Sequence, residues 1–98
     1  MSYAHRLRLG AGNAAKHGVT FEEAVTVFRD PLALSLLDDD HNAGEERWIT
    51  LGLASTGNLL LVVHTWVDID ADHSVVRIIS ARRSTRNEAR QYREGPTR

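Results

Sequence analysis

The sequence predicts a single α+β domain with two N-terminal helices, a four-stranded, mainly antiparallel sheet and a C-terminal helix. Three observations carry that expectation. Helically spaced apolar residues between positions 13 and 29 give way to β-branched runs between 33 and 81, and a polar helical stretch with its own cap follows residue 85. At 98 residues the chain holds one hydrophobic core, since compact domains need roughly 50 to 200 residues.

Residues 13–17 read as a first helix, closed by Gly18, which readily adopts the left-handed conformation that ends helices. Thr20-Phe21-Glu22-Glu23 has the order of a capping box, and Ala24, Val25, Val27 and Phe28 supply the apolar face of a second helix. That helix stops near Arg29, because Pro31 disfavours helical backbone at Asp30.

The strands follow at 33–37, 47–53, 59–67 and 75–81. In the second of these, Ile49, Leu51 and Leu53 lie on one face and Trp48 and Thr50 on the other. A polar loop at 38–44, the Ser55-Thr56-Gly57-Asn58 turn and a second turn at 68–74 separate the strands, and short turns favour an antiparallel meander. The unbroken Val75-Val76-Arg77-Ile78-Ile79 run suggests a central strand covered on both faces. The last helix opens with a second capping box, Thr85-Arg86-Asn87-Glu88, and ends at Gly95-Pro96. Ala89 and Tyr92 suit packing on the sheet, while Arg86, Arg90 and Arg93 share the neighbouring surface.

Composition excludes several classes of function. Hydrophobic residues make up 42% and charged residues 26%, an ordinary balance for a folded soluble protein. With no cysteine, the chain has no disulfide, thiolate zinc site or thiol nucleophile. No apolar run approaches the roughly 20 residues of a membrane span, and residues 1–12 lack a secretory h-region, so a cytoplasmic location is expected. The net charge of -1 conceals an asymmetry, with six acidic residues and no Lys or Arg between Asp30 and Glu46, but seven arginines against two glutamates from Arg77 to Arg98. Such an arginine-rich end suits either an anionic partner, of which a phosphate backbone is the usual case, or a solvated helix face.

The motifs that would mark other chemistries fail. Asp68, Asp70 and Asp72 open like a calcium loop, yet the positions that need Gly and Glu hold His73 and Ile79. Asp38-Asp39-Asp40-His41 reads as a solvated hairpin, so no metal and no cofactor are assigned. Serines 35, 55, 80 and 84 lie in no nucleophile elbow, and Gly10-Ala11-Gly12 is no phosphate loop.

What remains is a set of basic and hydrogen-bonding groups: Lys16, His17, Arg47, His64, Arg77, Arg82, Arg83 and Tyr92. They suit RNA cleavage without metal, in which the 2′-hydroxyl attacks its own phosphodiester. That reaction needs a proton acceptor, cations for charge on the phosphorane and a donor for the leaving oxygen. Arginine offers a permanently charged fork, and histidine titrates near neutrality. Each residue also has a plainer reading. Lys16 and His17 suit a helix C-terminus, His64 a hydrogen-bonded core position, Arg77 a buried salt bridge to Glu45 or Glu46, and Tyr92 a packing role with a wet hydroxyl.

The order and spacing of several segments resemble the BrnT toxin family, a branch of the RelE-like ribonucleases. They are Asn13-Ala14-Ala15-Lys16-His17-Gly18-Val19-Thr20-Phe21-Glu22-Glu23-Ala24, Phe28-Arg29-Asp30-Pro31-Leu32-Ala33, Asp40-His41, Glu45-Glu46-Arg47, Val63-His64-Thr65, and Arg77-Ile78-Ile79-Ser80-Ala81-Arg82 leading to Glu88 and Tyr92. The resemblance implies a RelE-like fold, a ribonuclease that arrests translation, and a BrnA-like antitoxin that binds the toxin in a 2:2 heterotetramer and carries the DNA contact. It puts Lys16, His17, Glu45, Arg47, Arg77, Arg82 and Tyr92 on matching family positions. The expected catalytic set is His17, Glu45, Arg47, Arg77 and Arg82, with Lys16, Arg83, Arg86 and Tyr92 as RNA contacts. The N-terminus departs from the family's aromatic and Trp-Asp opening, and two glycines in residues 5–12 predict a frayed helix there. That departure motivates an alternative, a non-catalytic homologue that binds the antitoxin. A third reading is direct duplex binding by the arginine-rich last helix.

Overall fold

The computed structural model describes residues 6–10, 18–38 and 46–95. Its elements are β1 (Arg6–Gly10), α1 (Phe21–Val25), which continues as a 3₁₀ turn over Thr26–Arg29, β2 (Leu34–Leu37), β3 (Arg47–Leu53), β4 (Leu59–Asp70), β5 (His73–Arg83) and α2 (Arg86–Glu94). The expected α+β class holds, and β2 to β5 form the antiparallel meander in the order β5-β4-β3-β2.

Two expectations are corrected. The sheet has five strands, because β1 adds in parallel beside β5, from Arg6 opposite His73 to Gly10 opposite Arg77. Arg6-Leu7-Arg8-Leu9 alternates with period two, a strand pattern, and it pairs with a β5 edge that would otherwise expose unpaired backbone groups. The frayed helix expected there is therefore a strand. Among the described residues one helix, not two, precedes the meander, and the helix expected at 13–17 lies outside them.

A helix of five residues cannot stand alone, so α1 is held by what it buries. Val19, Ala24 and Val27 pack on Ala54, Leu60, Val62, Ile78 and Ala81, with Phe21, Val25 and Phe28 against the same cluster. These sheet residues share the helix-backed face. On β4 that face is made by Leu60, Val62, His64, Trp66 and Asp68, and on β3 by the residues opposite three of them, Gly52, Thr50 and Trp48. Leu59, Leu61, Val63, Thr65 and Val67 of β4 belong to the opposite, more open face, on which Thr65 is itself buried.

The local caps follow the sequence in part. Thr20 accepts a hydrogen bond from the Glu23 N–H at 3.1 Å, but the Glu23 carboxylate does not complete the box. It reaches instead to Thr56 and Asn58 in the β3–β4 turn. Hydrogen bonds from these two side chains hold its pKa below the ordinary carboxylate value. At α2 the Thr85–Glu88 box is complete, and Gly95 ends the helix with φ of 80°.

Gly52 sets how closely the 3₁₀ turn after α1 approaches the sheet. A Cβ there would lie 2.7 Å from Val27 Cγ1 and 3.1 Å from Ala33 Cβ, neither of which is the end of a flexible chain. Gly52→Ala is therefore expected to destabilise the fold by about 1–3 kcal/mol, read as a lowered urea midpoint with an unchanged m-value.

Candidate functional site

The cations are gathered by strand register. Arg47 on β3 stands opposite Thr65 on β4, and Thr65 stands opposite Arg77 on β5, so the three occupy one cross-strand row on the open face. Two strand spacings separate the arginine backbones, roughly 10 Å, which two long side chains can bridge. Arg77 is exposed, contrary to the expectation of a position covered on both faces. Its neighbours Val76 and Ile78 are fully buried, and the alternation of the strand turns Arg77 to the opposite side. Glu46, one of its two expected partners, lines a cleft on the helix-backed face.

Arg47 is held differently. Its side chain is 32% exposed, and its Nε lies 3.8 Å from the Asp38 carboxylate, an ion-pair distance too long for a hydrogen bond. That Nε is buried without a hydrogen-bond partner among the described residues. An unsatisfied buried donor is costly, so this Nε calls for an acceptor.

Arg82 shares this face through a β-bulge. Five residues separate it from Arg77, which in a regular strand would put the two on opposite sides. Ser80 pairs with Val63 and Ile78 with His64, so one extra residue is absorbed and both arginines face the same way. They remain roughly 15 Å apart along β5. The Arg82 fork grips Glu88 of α2 with two hydrogen bonds of 2.9 and 2.8 Å. Those bonds raise the Arg82 pKa and lower that of Glu88. Glu88 also accepts from the Thr85 N–H at 2.8 Å, so one carboxylate caps α2 and ties it to β5.

Tyr92 makes the second tie. Its hydroxyl donates to Asp30 Oδ2 at 2.5 Å, and burial together with that carboxylate pushes its pKa up to about 12. Tyr92 is thus a fixed donor near neutral pH. Of the remaining expected residues, Arg83 stands opposite Leu60 on the helix-backed side, and Arg86 is exposed at the first position of α2. Lys16, His17 and Glu45 lie outside the described residues. The row therefore joins Arg47 to Arg77, but not to Arg82 or Arg83.

The helix-backed face carries a feature that the sequence reading did not foresee, a cleft of about 340 Å³ beyond the end of the core. Its floor is a hydrogen-bonded chain. The His64 Nδ1–H donates to the Thr65 carbonyl at 3.1 Å, so its Nε2 accepts from the Thr50 hydroxyl at 2.7 Å, whose oxygen lies 2.8 Å from Ser35 Oγ. His64 is the satisfied core histidine of the plainer reading. Phe28 meets its ring edge-on at a centroid distance of 4.8 Å, and Trp48 and Trp66 complete the aromatic lining. Tryptophans 18 positions apart give no sequence signal of proximity, which arises because Trp48 pairs with His64, two residues before Trp66.

Among the described residues no group of His, Cys, Asp and Glu is placed to hold a metal ion, and no helix is long and apolar enough to cross a membrane. The architecture defines a small α+β protein whose open sheet face presents arginines without a phosphate-binding loop. The family described as ribonuclease toxin, BrnT, of type II toxin-antitoxin systems matches residues 10–88, from the end of β1 into α2, and the chain belongs to that family. Comparison with curated proteins returns no match.

Two measurements follow. Burial, partly opposed by the Thr65 backbone, holds the His64 pKa below its ordinary 6.5. Below that pH the unfolded chain binds a proton that the folded chain refuses, so the His64 contribution to stability is lost as the pH falls below about 6.5. Urea denaturation across that window is expected to show this loss, and a His64→Phe chain is expected to lose that part of the slope. Tyr92→Phe removes one hydrogen bond to a carboxylate and is expected to cost about 1.5–3 kcal/mol, measured by the same method at pH 7.

Proposed function

We propose that this chain is a metal-independent endoribonuclease that inhibits translation by cutting RNA, neutralised by a BrnA-like antitoxin in a 2:2 heterotetramer whose antitoxin subunits contact DNA. Membership of a ribonuclease toxin family with an antitoxin partner supports the class. The observation that carries the chemistry is the Arg47–Thr65–Arg77 row, with the Arg47 Nε buried and without a hydrogen-bond partner among the described residues.

In this reading Arg47 and Arg77 converge on the scissile phosphate. The RNA 2′-oxygen attacks phosphorus, negative charge builds on the non-bridging oxygens between the two guanidinium groups, and the bond to the 5′-oxygen breaks as that oxygen takes up a proton. His17 or Glu45 moves the protons. Lys16 and Arg86 extend the positive surface for flanking phosphates. Arg82 serves as a positioning residue through Glu88 and α2, Tyr92 holds the far end of that helix, and Arg83 meets only RNA that wraps around the edge of the sheet.

The purified chain is expected to cleave RNA in the presence of EDTA. Arg47→Ala and Arg77→Ala are expected each to lower the rate by about 100-fold, the scale set by removing one donor to a developing oxyanion, with the fold intact by circular dichroism. Intact RNA together with tight antitoxin binding would instead establish the non-catalytic alternative.

A further inference from the structure

The cleft on the helix-backed face has a chemistry opposite to that of the arginine row. Its walls are Phe28, Trp48 and Trp66, and its charged lining residues are Glu46 and Asp68, with no Lys or Arg among the described residues that line it. The carboxylates are placed by the indoles. Trp66 Nε1 donates to Asp68 Oδ1 at 2.8 Å, with Ser74 Oγ on the same oxygen at 2.6 Å, and Trp48 Nε1 points to Glu46 at 3.4 Å. With each N–H directed at a carboxylate, both indoles that line the cleft carry negative charge at their ring edges. Both carboxylates are exposed, and both tryptophans are partly so.

We propose that this cleft receives an arginine side chain from a basic segment of a partner polypeptide. A guanidinium is flat and weakly hydrated, stacks on indole and presents a fork to carboxylates. The cleft offers all three complements: aromatic faces, negative charge and a floor of hydroxyls. A phosphate backbone is repelled by the same two carboxylates, so the cleft is no extension of the proposed RNA surface. Trp48 and Arg47 are adjacent on β3, and the alternation of the strand points them to opposite faces, so the two surfaces operate independently.

The test follows the indole N–H resonances of the full chain by NMR during titration with the peptide acetyl-Arg-Gly-Arg-Gly-Arg-amide, and in parallel with adenosine monophosphate. The Trp48 and Trp66 signals are expected to shift with the peptide and not with the nucleotide. The Glu46→Gln/Asp68→Asn chain keeps an oxygen for each indole while removing the charge, and is expected to bind the peptide roughly three- to tenfold more weakly, in line with cation–π and surface ion-pair energies. Trp48→Leu is expected to weaken it similarly, and Arg77→Ala to leave it unchanged, which separates this result from the nuclease assay. Indoles that ignore the peptide, that respond to the nucleotide instead, or that bind the peptide equally well in the charge-neutralised chain would overturn the proposal.

Discussion

The Asp30 carboxylate joins three parts of the chain, the turn after the 3₁₀ segment, the end of β3 and α2. Oδ1 accepts the Leu32 N–H at 2.9 Å and turns the chain after the 3₁₀ segment. Oδ2 accepts the Leu53 N–H at the end of β3 at 2.8 Å and the hydroxyl of Tyr92 on α2. Burial alone would raise the Asp30 pKa, but the bonds from Tyr92, Leu53 and Leu32 outweigh it and hold the group below its ordinary range. A partly buried carboxylate with three donors stays charged, and hydrogen bonds to charged groups are worth about 1.5–3 kcal/mol each. The proline after Asp30 stops a helix, and the same aspartate uses that stop to hold both ends of the fold.

The consequence is clearest at α2, which has no fully buried residue. A helix with so little apolar burial gains its position from directional contacts at its two ends, the Arg82–Glu88 fork and the Tyr92–Asp30 bond. Attachment of α2 is thereby an electrostatic matter, set apart from the hydrophobic packing of α1. This division leaves the middle of the open face, with Arg47, Thr65 and Arg77, clear of the core that stabilises the sheet.

The bulge at Val63/His64 has a comparable reach. By absorbing one residue of β5 it keeps Val76, Ile78 and Ala81 all on the core face while leaving Arg77 and Arg82, though far apart, both on the other. A regular strand would satisfy neither requirement, since odd offsets separate Ile78 from Ala81 and Arg77 from Arg82. The two faces then diverge in character. One offers guanidinium groups suited to anions, and the other an aromatic cleft bordered by carboxylates, so a protein of this size presents two surfaces of opposite electrostatic preference.

Local signals were legible because their causes are local. The Thr85–Glu88 box, the Asp30-Pro31 stop, the Gly57 and Gly95 turns, the antiparallel meander and the core role of His64 all follow from residues a few positions apart or from strand periodicity. The family, too, was visible in short strings of residues at characteristic spacing. Tertiary structure decided what depends on register and distance. It recruited the alternating N-terminus as a fifth strand, diverted Glu23 from its own cap to the β3–β4 turn, and gave Asp30 a tyrosine 62 positions away. It also separated Arg82 from the Arg47–Arg77 row, and it set Trp48 near Trp66 to form the cleft. The amino-acid sequence alone specified which chemical groups were present and roughly where the strands of the meander and the C-terminal helix lie. Which of those groups meet was settled only when the strands paired, because a one-residue bulge reverses the face of every residue beyond it and no local pattern records that choice.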